Sequence, residues 1–236
     1  IPISLEHVFN THDRTENIGY GLGWRLNYSQ MIEKVVLGTT NYYRHIDEDG
    51  TRHYYRYASA TQYVSELDTD STLTIDTARH KIAIVDKAGN KLVFACDNAH
   101  TTGRLIREED ANGNAIVIRY TSTTVTNLRI ALLTEAHVNY VDGAEGLAQG
   151  TGVITLAYDS SSLLSLVTPP DGLAVRYTYT SSRLTNILYA DNNGTVYTYD
   201  AKGNLASAKN IDGYKISYEY TPGTISRVTL ITESNE

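Results

Sequence analysis

Seven histidines, one cysteine and a few neighbouring acids are the side chains with which this 236-residue chain could do chemistry. The histidines are His7, His12, His45, His53, His80, His100 and His137. No two are four apart around a Glu, the helical spacing of a zinc protease, and one cysteine is too few for a zinc knuckle. His45 and His53 flank the turn "IDEDGTR" and are expected to face each other across a hairpin. They read as two exposed strand histidines rather than a metal-holding pair. Cys96, in the strand-like run "VFACDN", reads as a buried thiol, since nothing beside it in the sequence lowers its pKa. Glu108 and Glu109 are adjacent, so in a strand they point to opposite faces and cannot act jointly. "DEDG", "DANGN" and "DNNG" begin like calcium loops, but their Gly comes fourth rather than sixth and no Glu follows in register. They read as turns, with weak Ca²⁺ binding the lesser alternative. No phosphate loop, nucleotide fingerprint or G-x-S-x-G is present. The expectation is therefore no catalytic residue, no metal, no cofactor and no enzyme.

Elements that could position such residues come from a repeat. Residues 171–190 ("DGLAVRYTYTSSRLTNILYA"), 191–211 ("DNNGTVYTYDAKGNLASAKNI") and 212–231 ("DGYKISYEYTPGTISRVTLI") share one plan. Each opens with Asp and a Gly, continues as a strand with Tyr-x-Tyr, turns, and returns as a second strand. Leu184, Leu205 and Val228 hold equivalent places after the turns. "DANGNAIVIRYT", from Asp110, has the same form, and "DEDGTRHYYRY" and "DKAGNKLVFA" are weaker copies. Strand side chains alternate between faces, so Tyr177, Tyr179 and Val175 share one, as do Tyr197 with Tyr199, and Ile216 with Tyr218 and Tyr220. Arg176, Thr178, Thr198, Ser217 and Glu219 take the other. That is an antiparallel sheet with one packed and one wet face. Asp and Gly supply the turn chemistry, including positive φ at Gly203 or Gly194. "IGYGLGWRLNYS" alternates strictly, which predicts a strand over 18–29, with glycines on one face admitting a close backbone and Trp24 as a core anchor. "ALLTEAHV" reads as one or two helical turns and "DGAEGLAQGTG" as an exposed loop.

Composition agrees. With 19 Tyr against 2 Phe and 1 Trp, the packed face must accommodate hydroxyls. A net charge of −7 with scattered basic residues excludes a nucleic-acid or anionic-lipid surface. No apolar run approaches the ~20 residues of a membrane helix. A single Cys excludes a disulfide-stapled small domain. The chain begins with Ile1, which suggests a fragment or processed piece, and no signal peptide is visible.

"GTVYTYDAKGNLASAKNIDG" resembles the YD repeat of Rhs-type proteins, with Tyr197, Tyr199, Asp200, Gly203 and Leu205 in the Tyr-x-Tyr-Asp-x-x-Gly-x-Leu core. "VFNTHDRTENIGYGLGWRLNYS" is similar to the segment that opens an Rhs core, and "GRLIREEDANGNAIVIRY" also fits. The family includes bacterial polymorphic toxins, wall-associated repeat proteins, C components of insecticidal Tc toxins and animal teneurins. The resemblance implies a curved or spiralling YD-repeat sheet of antiparallel hairpins, part of a β-shell. In the toxins that shell holds a C-terminal effector freed by self-cleavage, and the sequence stops short of such a site. It implies opening strands over 1–45, irregular repeats over 46–127, a loop or short-helix insertion over 128–152 and regular repeats over 153–236, in one continuous all-β domain. The expected function is a non-catalytic structural segment of a large secreted or cell-surface protein. Its partner is the remainder of the same polypeptide: further YD repeats and a C-terminal effector. A carbohydrate-binding or adhesive module, with a cell-surface glycan as partner, is the alternative, and a hydrolase with no visible constellation is a third. Neither nucleic acid nor membrane insertion is expected.

Overall fold

A computed structural model describes residues 2–66, 70–136, 153–223 and 226–235. Among them the fold is all-β and its registered strand pairs are antiparallel, with one short 3₁₀ turn at Thr11–Asp13. The chain divides into two compact units: residues 7–25 with 155–236, and residues 1–6 with 26–154.

A short pair opens the chain, β1 (His7–Phe9) with β2 (Trp24–Leu26). In the larger unit eight strands follow in order: β3 (Met31–Leu37), β4 (Thr40–Ile46), β5 (Arg52–Ser59), β6 (Gln62–Ser65), β7 (Thr72–Asp76), β8 (Lys81–Val85), β9 (Lys91–Cys96) and β10 (Thr102–Glu109). Each pairs with the next, and β10 returns to β3 through Thr102↔Glu33, Gly103↔Ile32 and Arg104↔Met31, closing an eight-stranded barrel. Eight strands leave an interior that side chains can fill. Ile32, Tyr43, Tyr55, Tyr63, Leu73, Ile82, Phe94 and Leu105 are all buried. In β8 burial alternates residue by residue, as one packed face requires. Tyr43 and Tyr63 meet edge to face at 4.8 Å, and the Tyr43 hydroxyl donates to the His100 carbonyl at 2.6 Å.

Closure has a sequence cause at Gly103. It is registered with Cys96 on one side and Ile32 on the other. A Cβ there would lie 2.5 Å from Cys96 Sγ and 2.8 Å from the Ala95 carbonyl, so only glycine lets three strands converge. Beyond this seam the C-terminal half of β10 pairs with β11 (Ala115–Tyr120), and β11 with β12 (Ile130–Ala136). Thus "ALLTEA" is a strand, not helical turns: Ala115↔Ala136 through Arg119↔Leu132 register it against β11. The rest of the expected insertion, 137–152 with His137, lies outside the described residues.

In the other unit the repeats form successive hairpins: β13 (Ile154–Tyr158), β14 (Leu164–Thr168), β15 (Val175–Thr180), β16 (Arg183–Leu188), β17 (Gly194–Tyr199), β18 (Leu205–Asn210), β19 (Tyr214–Tyr220) and β20 (Val228–Asn235). Burial in β15 alternates with Val175, Tyr177 and Tyr179 on the packed side, as the pattern predicts. Leu164, Leu184 and Leu205 are buried after their turns, whereas Val228, their counterpart, is 47% exposed on the last strand.

Residues 18–29 correct the alternation reading. Only Trp24–Leu26 is strand, because Gly19, Gly21 and Gly23 take φ of 111°, 101° and 81°, outside the β region. The close backbone approach predicted for them is present. Gly19 O accepts from Leu164 N at 2.8 Å, and Leu22 N donates to Ser182 O at 2.8 Å.

Candidate functional site

Asp residues at turn starts are consumed by the turns themselves. Asp110 Oδ1 accepts from Asn112 N at 2.9 Å and Asn114 N at 2.8 Å, while Oδ2 accepts from Asn114 Nδ2 at 2.8 Å. Asp200 repeats this with Lys202 N, Asn204 N and Asn204 Nδ2 at 2.8, 2.9 and 2.8 Å. Asp86 binds Asn90 by both backbone and side chain. The residue three after each Asp is at positive φ: Gly89, Gly113 and Gly203 lie between 82° and 90°. Such carboxylates are anchored acceptors in Asx turns. The "DNNG" turn differs: positive φ falls on Asn192, at 65°, and not on Gly194. Among the described residues no three His, Cys, Asp or Glu side chains are grouped to hold a metal.

A second recurring bond was not foreseen. In three units a Tyr donates to the carbonyl of the Leu fifteen residues earlier: Tyr120 to Leu105 at 2.6 Å, Tyr199 to Leu184 at 2.6 Å and Tyr220 to Leu205 at 2.8 Å, whereas the buried Tyr179 hydroxyl makes no such bond. In two of these units an Arg precedes the Leu and lies over the same ring. Arg104 sits 4.0 Å from the Tyr120 centroid and Arg183 5.2 Å from that of Tyr199, cation–π geometry. Each also reaches the next turn: Arg104 to the carbonyls of Ser122, Thr124 and Asn127, all at 2.7 Å, and Arg183 to Gly203 O at 3.1 Å. The sequence signal was "GRL" at 103–105 and "SRL" at 182–184. Burial pushes Tyr199 and Tyr220 up to about 12, so both stay protonated donors at neutral pH.

A cavity of about 550 Å³ opens at the barrel. Its wall includes Gln30, His45, Asp47, Glu48, Lys91 and Glu108. His45 and His53 are registered partners of β4 and β5, as their spacing predicts, with ring centroids 5.9 Å apart. They are not two exposed histidines: His45 is only 5% exposed and its Nε2 meets Gln30 Oε1 at 2.9 Å. The barrel curvature turns its strand face inward. His53 Nε2 meets Asp47 Oδ2 at 2.7 Å, while Asp47 Oδ1 serves its turn through Asp49 N and Thr51 N.

Glu109 is held by Lys91 and Arg107, each at 3.0 Å. Glu108, on the opposite strand face, also lines the cavity, as Glu109 does. Burial and then the Glu48 carboxylate raise its pKa, and burial and then Asp47 raise that of Glu48. Glu108 and Glu109 thus reach one cavity from adjacent positions, and the carboxylate that bears on Glu108 is Glu48, sixty residues away. Two carboxylates of raised pKa can exchange protons, but an acyl or glycosyl transfer also needs a nucleophile and an oriented acceptor. Cys96 does not supply the first. Burial pushes its thiol up to about 12, and it is packed beside Gly103.

No protein-family model matches the sequence, and no curated protein sequence matches it. Solved structures give remote likenesses. A porin-like protein from Bacteroides uniformis is 13% identical at TM-score 0.39, with 89% of this chain and 97% of that one covered. The N-terminal domain of the effector SpvB from Salmonella typhimurium is 9% identical at TM-score 0.46, covering 99% and 94%. A TcdB2–TccC3 complex is 11% identical at TM-score 0.25; 84% of this chain is covered, but only 16% of that one. None of them assigns an activity to this chain.

Proposed function

We propose that this chain is a non-catalytic structural segment of a large secreted or cell-surface YD-repeat protein of the Rhs type. It contributes wall to a β-shell that encloses a C-terminal effector of the same polypeptide. The observation that carries this reading is the fate of the polar residues. Asp110 and Asp200 are spent on their turns, the hydroxyls of Tyr120, Tyr199 and Tyr220 on a carbonyl fifteen residues back, and Arg104 and Arg183 on a tyrosine ring and the next turn. Such a unit passes hydrogen bonds from one hairpin to the next and leaves little polar chemistry over. Stacking of this kind is how repeat architectures extend. A packed face lined by Tyr, wet where hydroxyls remain, suits a wall against which polypeptide is held.

The test uses the full polypeptide that carries this segment. A passenger fused behind the repeats should resist added protease, and Trp24→Ala should expose it. Equal digestion with and without the repeats, or specific retention of the purified segment on a glycan array, would favour the adhesive reading instead.

A further inference from the structure

Residues 7–25 form a strap laid on the packed face of the regular repeats. Within itself it is tied by Asn10 N to Gly23 O at 2.9 Å and Gly23 N to Glu16 O at 2.9 Å. Leu22 N to Ser182 O and Leu164 N to Gly19 O are its backbone links to the hairpins. Trp24 Nε1 donates to Tyr199 OH at 2.7 Å, and its ring meets Tyr197 edge to face at 4.9 Å. Phe9 packs between Trp24, at 5.5 Å, and Tyr199, at 6.1 Å. Tyr20, fully buried, lies 6.3 Å from Tyr158 ring to ring and accepts from its hydroxyl at 3.2 Å, and His7 lies on Tyr177 with ring centroids 4.8 Å apart.

His7 is the odd member of this set. Its Nε2 is buried and accepts or donates no hydrogen bond. The group facing it is the Tyr177 phenol, whose neighbours are the phenols of Tyr189 and Tyr197, and burial raises the pKa of Tyr177. Among the described residues no charged side chain shifts His7; burial holds its pKa down, to about 3 from the usual 6.5. Of the strap's other titratable and charged groups, Tyr20 packs on Tyr158, while His12, Asp13, Arg14, Glu16 and Arg25 belong to the 3₁₀ turn and its return, where Arg25 faces Asp13 at 3.7 Å. A neutral imidazole fits this seat, and an imidazolium has neither counter-ion nor acceptor there.

We propose that His7 is an acid-sensitive latch, whose protonation releases the strap of residues 7–25 from the tyrosine face of the repeats while the hairpins stay folded. The sign follows from linkage. A histidine whose pKa is depressed when docked adds full stability above 6.5 and loses it as the pH falls toward 3. At pH 4.5 the docking equilibrium should stand roughly a hundredfold below its value at pH 7.5. Release would bare Tyr177, Tyr197 and Tyr199, so mildly acidic surroundings would change what that face can hold. This goes beyond the scaffold reading and does not depend on it.

Amide hydrogen exchange on the whole chain reads the latch. The protection factors of Leu22, Gly23 and Leu164 should fall about a hundredfold between pH 7.5 and 4.5. Protection of Lys34, bonded to Thr101 O in the barrel, should stay level. Trp24, the single tryptophan, should shift its emission to the red over the same range, most clearly in mild urea. His7→Phe keeps an aromatic ring and should abolish the pH dependence at the strap. His7→Gln, neutral throughout, serves the same purpose where Phe fails to fold. Unchanged protection of the wild-type strap amides at pH 4.5, loss of strap and barrel protection together, or an equal fall in both variants would overturn the proposal.

Discussion

The Tyr199 hydroxyl donates to the Leu184 carbonyl at 2.6 Å and accepts from Trp24 Nε1 at 2.7 Å. One phenol thereby joins two hairpins of the repeat and the N-terminal strap. Tyr220 makes the same bond to Leu205. The two tyrosines therefore separate a repeat-to-repeat bond from a hub.

Tyr199→Phe should cost about 2–3 kcal/mol, since it strips a partner from two buried groups, the indole N–H and the Leu184 carbonyl. Tyr220→Phe removes one bond and should cost about 1 kcal/mol. Urea unfolding of both variants checks this: the midpoints should fall in that order with an unchanged slope.

Two glycines of one repeat are required for different reasons. Gly203 sits at φ 85° with the Arg183 guanidinium where a Cβ would go. Gly203→Ala should cost roughly 1–2 kcal/mol of backbone strain, plus displacement of a flexible side chain. Gly194 has no positive φ, but its Cβ would meet the Ile187 carbonyl of the paired strand. Gly194→Ala must push a strand aside, and should lower the melting temperature more than Gly203→Ala does.

Much of this was legible in the chain, and the reason is locality. Asp-x-x-Gly-Asn turns and Tyr-x-Tyr alternation are short-range patterns, and the structure realises both at Asp110, Asp200, Tyr177 and Tyr179. The His45–His53 pairing was legible too, because a two-stranded hairpin fixes its own register. What stayed hidden depends on distant partners. The β10–β3 seam joins Gly103 to Ile32 across some seventy residues, and no nearby residue announces it. It is this closure that buries His45 and brings Glu108 to Glu48. The strap departs from its sequence pattern for a different cause: strict alternation over 18–29 has the strand period, yet its glycines adopt positive φ, which alternation cannot reveal. At "DNNG" the turn moved by two residues because Asn tolerates the left-handed region.

Glu108→Gln should raise stability at neutral pH. Its carboxyl pKa is raised by burial and then by Glu48, so ionisation opposes folding above the ordinary carboxylate range. The gain in urea midpoint should vanish as the pH falls below about 4, where the carboxyl is protonated both folded and unfolded. A variant less stable than wild type at pH 7.5 would show that Glu108 has a partner holding it ionised.

Asp110→Asn should flatten the acid limb of the stability curve. The Asn114 side chain and then its backbone N–H hold Asp110 below the usual carboxylate range, so its contribution is full near neutrality and fades as the pH drops toward 3. Urea midpoints at half-unit steps from pH 6 to 3 give the slope, which should be shallower in the variant.

The central claim is that the polar side chains of this chain hold the scaffold and turn nothing over. Its most direct measurement is a screen of the purified chain against peptide, ester, glycoside and phosphoester substrates, repeated with Glu108→Gln and His53→Ala. The account predicts rates equal to buffer for all three proteins. Turnover by the wild-type chain that disappears in either variant, with the far-ultraviolet spectrum unchanged, would contradict it.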